Sequence, residues 1–216
     1  MVVHETLLPK IFKPFYCSDL IRIGKDHDGG YLVNIEDVLK TKKLISFGIG
    51  EDFSFEKQFV EMSGCLCDSY DASVDLNLNF IRHHKHNIDS NEFVRILTKE
   101  KGDVFLKCDI EGNEYQLFEE IVNHSHLFSG MVFEFHNVTN SKNFNELTNL
   151  ISKIEQKLIH IHINNYFYYK TPNGPVPDIF ELTFSSSKNI KNSFVEIPNI
   201  LDMPNNPSDE QFKITY

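Results

Sequence analysis

Between positions 44 and 185, short apolar runs alternate with amphipathic stretches, and this alternation constrains the fold more than any other feature. Strands that are apolar on both faces are buried on both faces, and joining them through helices produces a parallel sheet. The pattern predicts strands at residues 44–47, 64–70, 104–108, 131–135, 158–163 and 179–185, with helices at 54–62, 113–123 and 143–156. In the last helix Phe144, Leu147, Leu150, Ile151 and Ile154 recur at spacings of three and four, which puts one apolar face on a sheet. The expected fold is α/β with a doubly wound sheet. Upstream, residues 21–33 read as two short strands around Asp28-Gly29-Gly30, and 35–41 as a short helix or turn. The Pro- and Asn-rich tail, 200–216, reads as a loop or a closing strand.

A chain of 216 residues is long enough for one well-buried domain and short for two, so 1–216 is read as a single domain. Residues 1–43 form an N-terminal strand-and-turn extension expected to contribute to the site. The formal charge of −10, from 31 acids and 21 bases, repels phosphate backbones and argues against a nucleic-acid partner. A small neutral or cationic molecule suits this balance better, and a sugar nucleotide held by a few focused donors stays compatible with it. No run approaches the roughly 20 apolar residues of a membrane span and none resembles a signal peptide, so a cytoplasmic protein without a membrane partner is expected. Cys17, Cys65, Cys67 and Cys108 lack CxxC spacing and are expected to be reduced thiols, three of them buried.

The strand at 44–47 runs into Gly48-Ile49-Gly50-Glu51-Asp52, the kind of turn at which a sheet binds a nucleotide or merely starts a helix. A dinucleotide fingerprint wants a third glycine where Phe53 stands, and Glu51 and Asp52 would oppose a pyrophosphate; both disfavour a nicotinamide cofactor. Asp71 lies 21 positions beyond Gly50, at the tip of the next strand, where a carboxylate can accept both ribose hydroxyls of an adenosine ligand. The third strand, interrupted by Lys107, delivers Asp109-Ile110-Glu111-Gly112 to the same sheet edge. Unpaired acids there are costly to a core, so they mark a site or else cap the following helix.

Period-two geometry places Glu134 and His136 on one face, and His160, His162 and Asn164 on one face of their own strand, with Glu181 another ionisable group in an apolar run. Two readings stand. Asp109, Glu134, His136 and His162 bind Mg²⁺ or Mn²⁺, or a metal-free set uses His136 to take a hydroxyl proton from the acceptor. His83, His84 and His86 fall in a polar stretch and are expected to be solvated. Tyr166, Phe167, Tyr168 and Tyr169 either stack on a substrate ring or form a homo-oligomer contact.

Taken in order, several segments resemble the FkbM-type methyltransferases. They are Arg22-Ile23-Gly24, Asp28-Gly29-Gly30-Tyr31, Ser46-Phe47-Gly48-Ile49-Gly50-Glu51-Asp52, Tyr70-Asp71, Lys107-Cys108-Asp109-Ile110-Glu111-Gly112 and Glu134-Phe135-His136. The likeness continues through His162-Ile163-Asn164-Asn165, Pro177-Asp178-Ile179-Phe180-Glu181-Leu182 and Leu201-Asp202-Met203-Pro204-Asn205. The resemblance implies a class I methyltransferase (Rossmann-like) sheet of about seven strands, mostly parallel with the last antiparallel. It implies S-adenosylmethionine over Gly48, Gly50 and Asp71, and O-methylation of a sugar, sugar nucleotide or other small biosynthetic product. A ligand with a sulfonium and an amino group also suits an acidic turn. Asp109 and Glu111 would then lie between cofactor and acceptor, with Glu134 and His136 on the acceptor side. The chain departs from many class I enzymes in having Ser46 two residues before the first glycine and Asp52 in place of the third. Asp28 or Glu51 would then serve the methionine end, with Gly29 a further residue of the cofactor site. The alternative is a catalytically inactive member of the fold that binds a metabolite or partner.

Overall fold

The computed structural model describes residues 4–172 and 174–216. Seven strands form the central sheet: β1 (Lys43–Phe47), β2 (Leu66–Tyr70), β3 (Arg82–His84), β4 (Val104–Cys108), β5 (Phe128–Phe135), β6 (Lys157–Ile163) and β7 (Phe180–Ser185). Their order across the sheet is β3-β2-β1-β4-β5-β7-β6. All pairings from β3 to β5 are parallel, whereas β7 runs antiparallel to both β5 and β6. This is the doubly wound α/β sheet of class I methyltransferase topology, with its reversed last strand.

The helices are α1 (Ile35–Lys40), α2 (Ser54–Ser63), α3 (Ser90–Leu97), α4 (Phe118–Asn123) and α5 (Ser141–Lys153). Side-chain caps start three of them: Asn34 accepts from Glu36 N, Asp89 from Glu92 N, and Asn140 from Lys142 N and Asn143 N. Gly64, left-handed at φ +68°, ends α2 and turns the chain into β2. Leu147 and Leu150 of α5 enter the larger core cluster beside Phe133 and Phe135, while Phe55 and Phe59 of α2 pack with Leu44, Phe105 and Val132 in a second cluster. Two apolar layers thus cover the two faces of one sheet.

Leu20–Ile23 and Tyr31–Asn34 pair as the expected antiparallel hairpin. It lies across the sheet, tied by Thr183 Oγ1 donating to Leu32 O at 2.7 Å and Asn34 Nδ2 to Ser185 Oγ at 3.3 Å. The tail closes with Phe212–Thr215, which pairs in parallel with His4–Leu7.

Three expectations change. The helix expected over 113–123 is a 3-10 turn, Glu114–Leu117, followed by α4, because Glu111 and Gly112 take positive φ and the Glu114 side chain binds the amides of Ile110 and Gly112. β3 and α3 did not show in the apolar pattern; β3 is a short polar edge strand, Arg82-His83-His84. The histidines there are not simply solvated. His83 bonds Ser69 Oγ, and His84 stacks on Tyr70 with ring centroids 4.5 Å apart. All four cysteines are free thiols, Cys65, Cys67 and Cys108 buried.

Candidate active site

In an open α/β sheet, ligands bind beyond the carboxyl ends of the strands, where the crossovers diverge to opposite faces. A cleft of about 620 Å³ opens at that place, between β1 and β4. Its floor is the Gly48–Gly50 turn. A side chain at Gly48, φ +75°, would put its first carbon 1.5 Å from Asp109 O, so only glycine lets β1 and β4 approach here. At Gly50, φ +55°, the missing side chain would face open space.

Beyond β2, Asp71 Oδ2 accepts from Gly50 N at 2.9 Å, while Oδ1 accepts from both N and Oγ of Ser73. Burial works against its charge, but the bonds from Ser73 and Gly50 hold its pKa below the ordinary carboxylate value. A carboxylate has about four lone-pair positions and three are filled. Asp71 therefore keeps one acceptor position free, with the Ser73 hydroxyl beside it.

The rest of the cleft is mostly acidic, with Lys25 at its edge paired to Asp52 at 2.9 Å. Asp28, Gly29, Glu51 and Asp52 line it from the hairpin and the glycine turn, and Asp109, Glu111 and Glu134 from β4 and β5. The Tyr31 hydroxyl shares its proton between Glu134 Oε2 at 3.1 Å and Asp109 Oδ2 at 3.3 Å, and Asn164 Nδ2 donates to Glu134 Oε1 at 2.9 Å. Burial pushes Asp109 up to about 6 against the pull of Lys107 and His136. Burial, with Asp109, Glu181 and Asp28 adding to it, holds Glu134 well above the usual carboxylate range. Lys107, buried in β4, donates to Gly48 O at 3.3 Å and stands 3.7 Å from Glu56 and 4.0 Å from Asp109. Its charge is compensated, which keeps it protonated.

His136 follows β5. Its Nδ1 lies 3.1 Å from Glu114 Oε1, and its Nε2 faces Glu111 Oε2 at 3.5 Å and Glu134 Oε1 at 3.7 Å. Burial opposes the charged ring, but the bond and charge of Glu114, then Asp109 and Glu111, hold its pKa above the ordinary value. Glu114 at Nδ1 orients the ring and points Nε2 at Glu111 and Glu134, which line the cleft. Glu111, at φ +56°, is 86 % exposed and sits at the rim.

The structure thus brings together Asp28, Gly29, Gly48, Gly50, Glu51, Asp71, Asp109, Glu111, Glu134 and His136, and separates one expected partner. His162 does not join a metal set with Asp109, Glu134 and His136, because its Nε2 bonds Asn205 Oδ1 at 2.9 Å and its Nδ1 faces Asp202 at 3.5 Å. Among the described residues the group of ligating side chains with donor atoms within 4.8 Å of one another is Asp109, Glu114 and His136. Sequence reasoning missed Tyr31, Glu114 and Asn205. Tyr31 carried a signal, since it follows the glycine pair on a strand with its side chain facing the sheet. Glu114 and Asn205 belong to irregular segments where no period marks an inward side chain.

No family model matches the chain, and no curated protein matches its sequence. Solved structures resemble it at low identity. A fibrillarin pre-rRNA processing protein from Methanococcus jannaschii is 11% identical, with 79% of this chain and 84% of that chain covered and a TM-score of 0.45. A SAM-dependent methyltransferase from Archaeoglobus fulgidus is 12% identical over 69% of this chain and 88% of its own, with a TM-score of 0.42. A putative methyltransferase from Streptococcus mutans, in complex with SAH, is 11% identical over 69% and 94%, with a TM-score of 0.39. No helix among the described residues is long and apolar enough to cross a membrane.

Proposed function

We propose that the chain is an S-adenosylmethionine-dependent methyltransferase of FkbM type that transfers a methyl group to an oxygen of a small polar acceptor, a sugar or a sugar-like product. The observation that carries this reading is the division of one cleft. Asp71 lies beside Gly50 on its nucleoside side, and on the other side buried carboxylates meet a histidine aligned by Glu114. The donor set fits the cofactor: a close-approach glycine turn, one free acceptor position for ribose, and acids for the sulfonium and ammonium.

When bound, the cofactor supplies an electrophilic methyl group. The residues of this chain do the rest. Asp109 and Glu134, linked through Tyr31, line the cleft where positive charge would rest, and a half-buried cleft strengthens that interaction over water. His136 Nε2 accepts the proton of the acceptor hydroxyl as the oxygen attacks, and Glu114 stabilises the resulting imidazolium. Holding donor and acceptor in line supplies much of the acceleration.

Calorimetry with S-adenosylhomocysteine tests this reading. The wild type is expected to bind, and Asp71→Ala to weaken binding about tenfold or more, the range for a hydrogen bond to a charged group. A wild type that binds neither S-adenosylmethionine nor its product overturns it. A second reading has one observation in its favour, since Glu114 Oε2 is buried without a hydrogen-bond partner within the group Asp109, Glu114 and His136. Mg²⁺ or Mn²⁺ held there would lower the pKa of the acceptor hydroxyl. Turnover that survives exhaustive chelation rules it out; turnover restored only by added metal establishes it.

A further inference from the structure

The cleft has a support that comes from the far end of the chain. Asn205, 2 % exposed, lies in the tail that follows the last sheet strand. Both N–H donors and one oxygen lone pair of its carboxamide are used by charged or polar side chains. Nδ2 donates to Glu181 Oε1 at 2.7 Å and to Asp28 Oδ1 at 3.1 Å, while Oδ1 accepts from His162 Nε2 at 2.9 Å. Its orientation is fixed by these neighbours, because the reversed amide would turn its oxygen toward two carboxylates.

His162 is equally constrained. With Asn205 Oδ1 at Nε2 and Asp202 Oδ1 at Nδ1, both ring nitrogens face acceptors, and Asp202 and Glu181 hold the ring's pKa above its ordinary value against burial. Asp202, on the same tail, also stands 2.9 Å from His160 Nε2 and accepts from Asn199 N at 2.6 Å. Two histidines of β6 thus anchor the tail through Asp202, and Asn205 follows three residues later. A further tie, His27 Nδ1 to Pro204 O at 2.8 Å, joins the tail to the hairpin turn that carries Asp28.

Of the two carboxylates that Asn205 holds, Asp28 lines the cleft and Glu181 does not. Asp28 sits on a turn beside Gly29, at φ +86°, where an unsupported side chain would sample several rotamers. A bond from a buried and immobile amide selects one of them. Asp28 and Tyr31 line the cleft from the hairpin, and Asp71 and Ser73 line it from the loop after β2. With the nucleoside placed against Asp71, as in the proposed function, the amino-acid end of the cofactor and its ammonium group would fall toward the hairpin.

We propose that Asn205 is a positioning residue of the cofactor site: clamped by the Asp202–His162 pair, it orients the Asp28 carboxylate toward the ammonium of the cofactor's amino-acid end. This assignment rests on the reading of the cleft as an S-adenosylmethionine site. A tail with no side chain touching the reaction thereby sets the geometry of ligand binding.

Two ligands separate this role from a merely structural one. S-adenosylhomocysteine has the amino-acid end, and 5′-methylthioadenosine has the same nucleoside and sulfur without it. In calorimetric titrations, Asn205→Ala is expected to raise the Kd of S-adenosylhomocysteine roughly tenfold and that of 5′-methylthioadenosine less than twofold. Asp28→Asn is expected to show the same selective loss, and adding Asn205→Ala to it should cost less than a further factor of about two. Equal weakening of both ligands by Asn205→Ala, no weakening of either, or effects of the two substitutions that multiply would overturn the proposal. Should Asn205→Ala not fold, Asp28→Asn decides alone, because an unchanged Kd for S-adenosylhomocysteine removes the contact that Asn205 is said to orient. A wild type that binds neither ligand overturns the methyltransferase reading and this role with it, whereas a wild type that binds both with both variants silent overturns only the role of Asn205.

Discussion

At the scale of single residues, the cleft pairs its ionisable side chains with others that hold them in place. Glu114 is the clearest case. It is fully buried, its Oε1 accepts from Ile110 N and Gly112 N and lies 3.1 Å from His136 Nδ1, and so one oxygen shapes the loop after β4 and orients the proposed base. Because Glu114 raises the pKa of His136 by a hydrogen bond and by charge, the protonated ring is favoured above its ordinary pKa of about 6.5. A base must be deprotonated to act, so the rate should rise with pH through that raised value. Glu114→Gln keeps an acceptor for the two amides but removes the charge, and the acid limb of the kcat profile should move to lower pH. His136→Ala should reduce kcat by about 10²-fold or more. An acid limb that stays in place in Glu114→Gln would show that another group, Asp109 or Glu111, is the base.

At the scale of elements, strands that are apolar on both faces were legible because their composition alone separates them from helices, and all six expected ones form within a few residues of their expected bounds. β3 was not legible: Arg82, His83 and His84 carry no apolar pattern, and the strand exists because Asp68, Ser69 and Tyr70 of β2 offer it a free edge. The polar row Asp109, Glu134, Glu181, His162 could be suspected from single strands, but which members meet depends on register. Glu134 stands opposite Glu181 and Glu181 opposite His162, yet the tail residues Asp202 and Asn205 enter from outside the sheet and capture His162. Neighbouring charges His160 and His162 hold Asp202 well below the ordinary carboxylate range although burial opposes it. A depressed carboxylate pKa gives stability present above the unfolded value of about 3.9, lost as pH falls through the folded value. His162 is raised, against burial, by Asp202 and Glu181, and its share is present below about 6.5 and lost as pH rises through the folded value. The clamp is therefore strongest between roughly pH 4 and 6.5. Asp202→Asn leaves a buried charge without its partner, which costs about 3 kcal/mol or more, or roughly 6–12 °C in Tm for a domain of this size. Differential scanning calorimetry at pH 6 measures it, and a Tm unchanged within a degree or so would mean that the tail does not depend on this pair.

At the scale of the whole molecule, the formal charge of −10 and the acidic half of the cleft act together. Their field attracts cations and repels phosphate, so under the proposed function an unphosphorylated acceptor is expected in preference to one carrying a diphosphate. The same field separates the cofactor from its product. S-adenosylmethionine bears a sulfonium, whereas the sulfur of S-adenosylhomocysteine is neutral, so only the former gains from each carboxylate that ionises beside it. Asp109 ionises at about 6 in the free protein, which places the change within an accessible range. As pH rises through that value, the carboxylate becomes charged and the sulfonium is held more tightly; below it, protonated Asp109 offers no such attraction. The ratio of the two affinities should therefore favour S-adenosylmethionine increasingly from pH 5 to pH 7, by about tenfold for each unit that the bound cation lowers the pKa of Asp109. Asp109→Asn should flatten this dependence while S-adenosylhomocysteine still binds. Parallel titrations of both ligands across that range provide the measurement, and a ratio independent of pH in the wild type would show that the sulfonium does not rest beside Asp109.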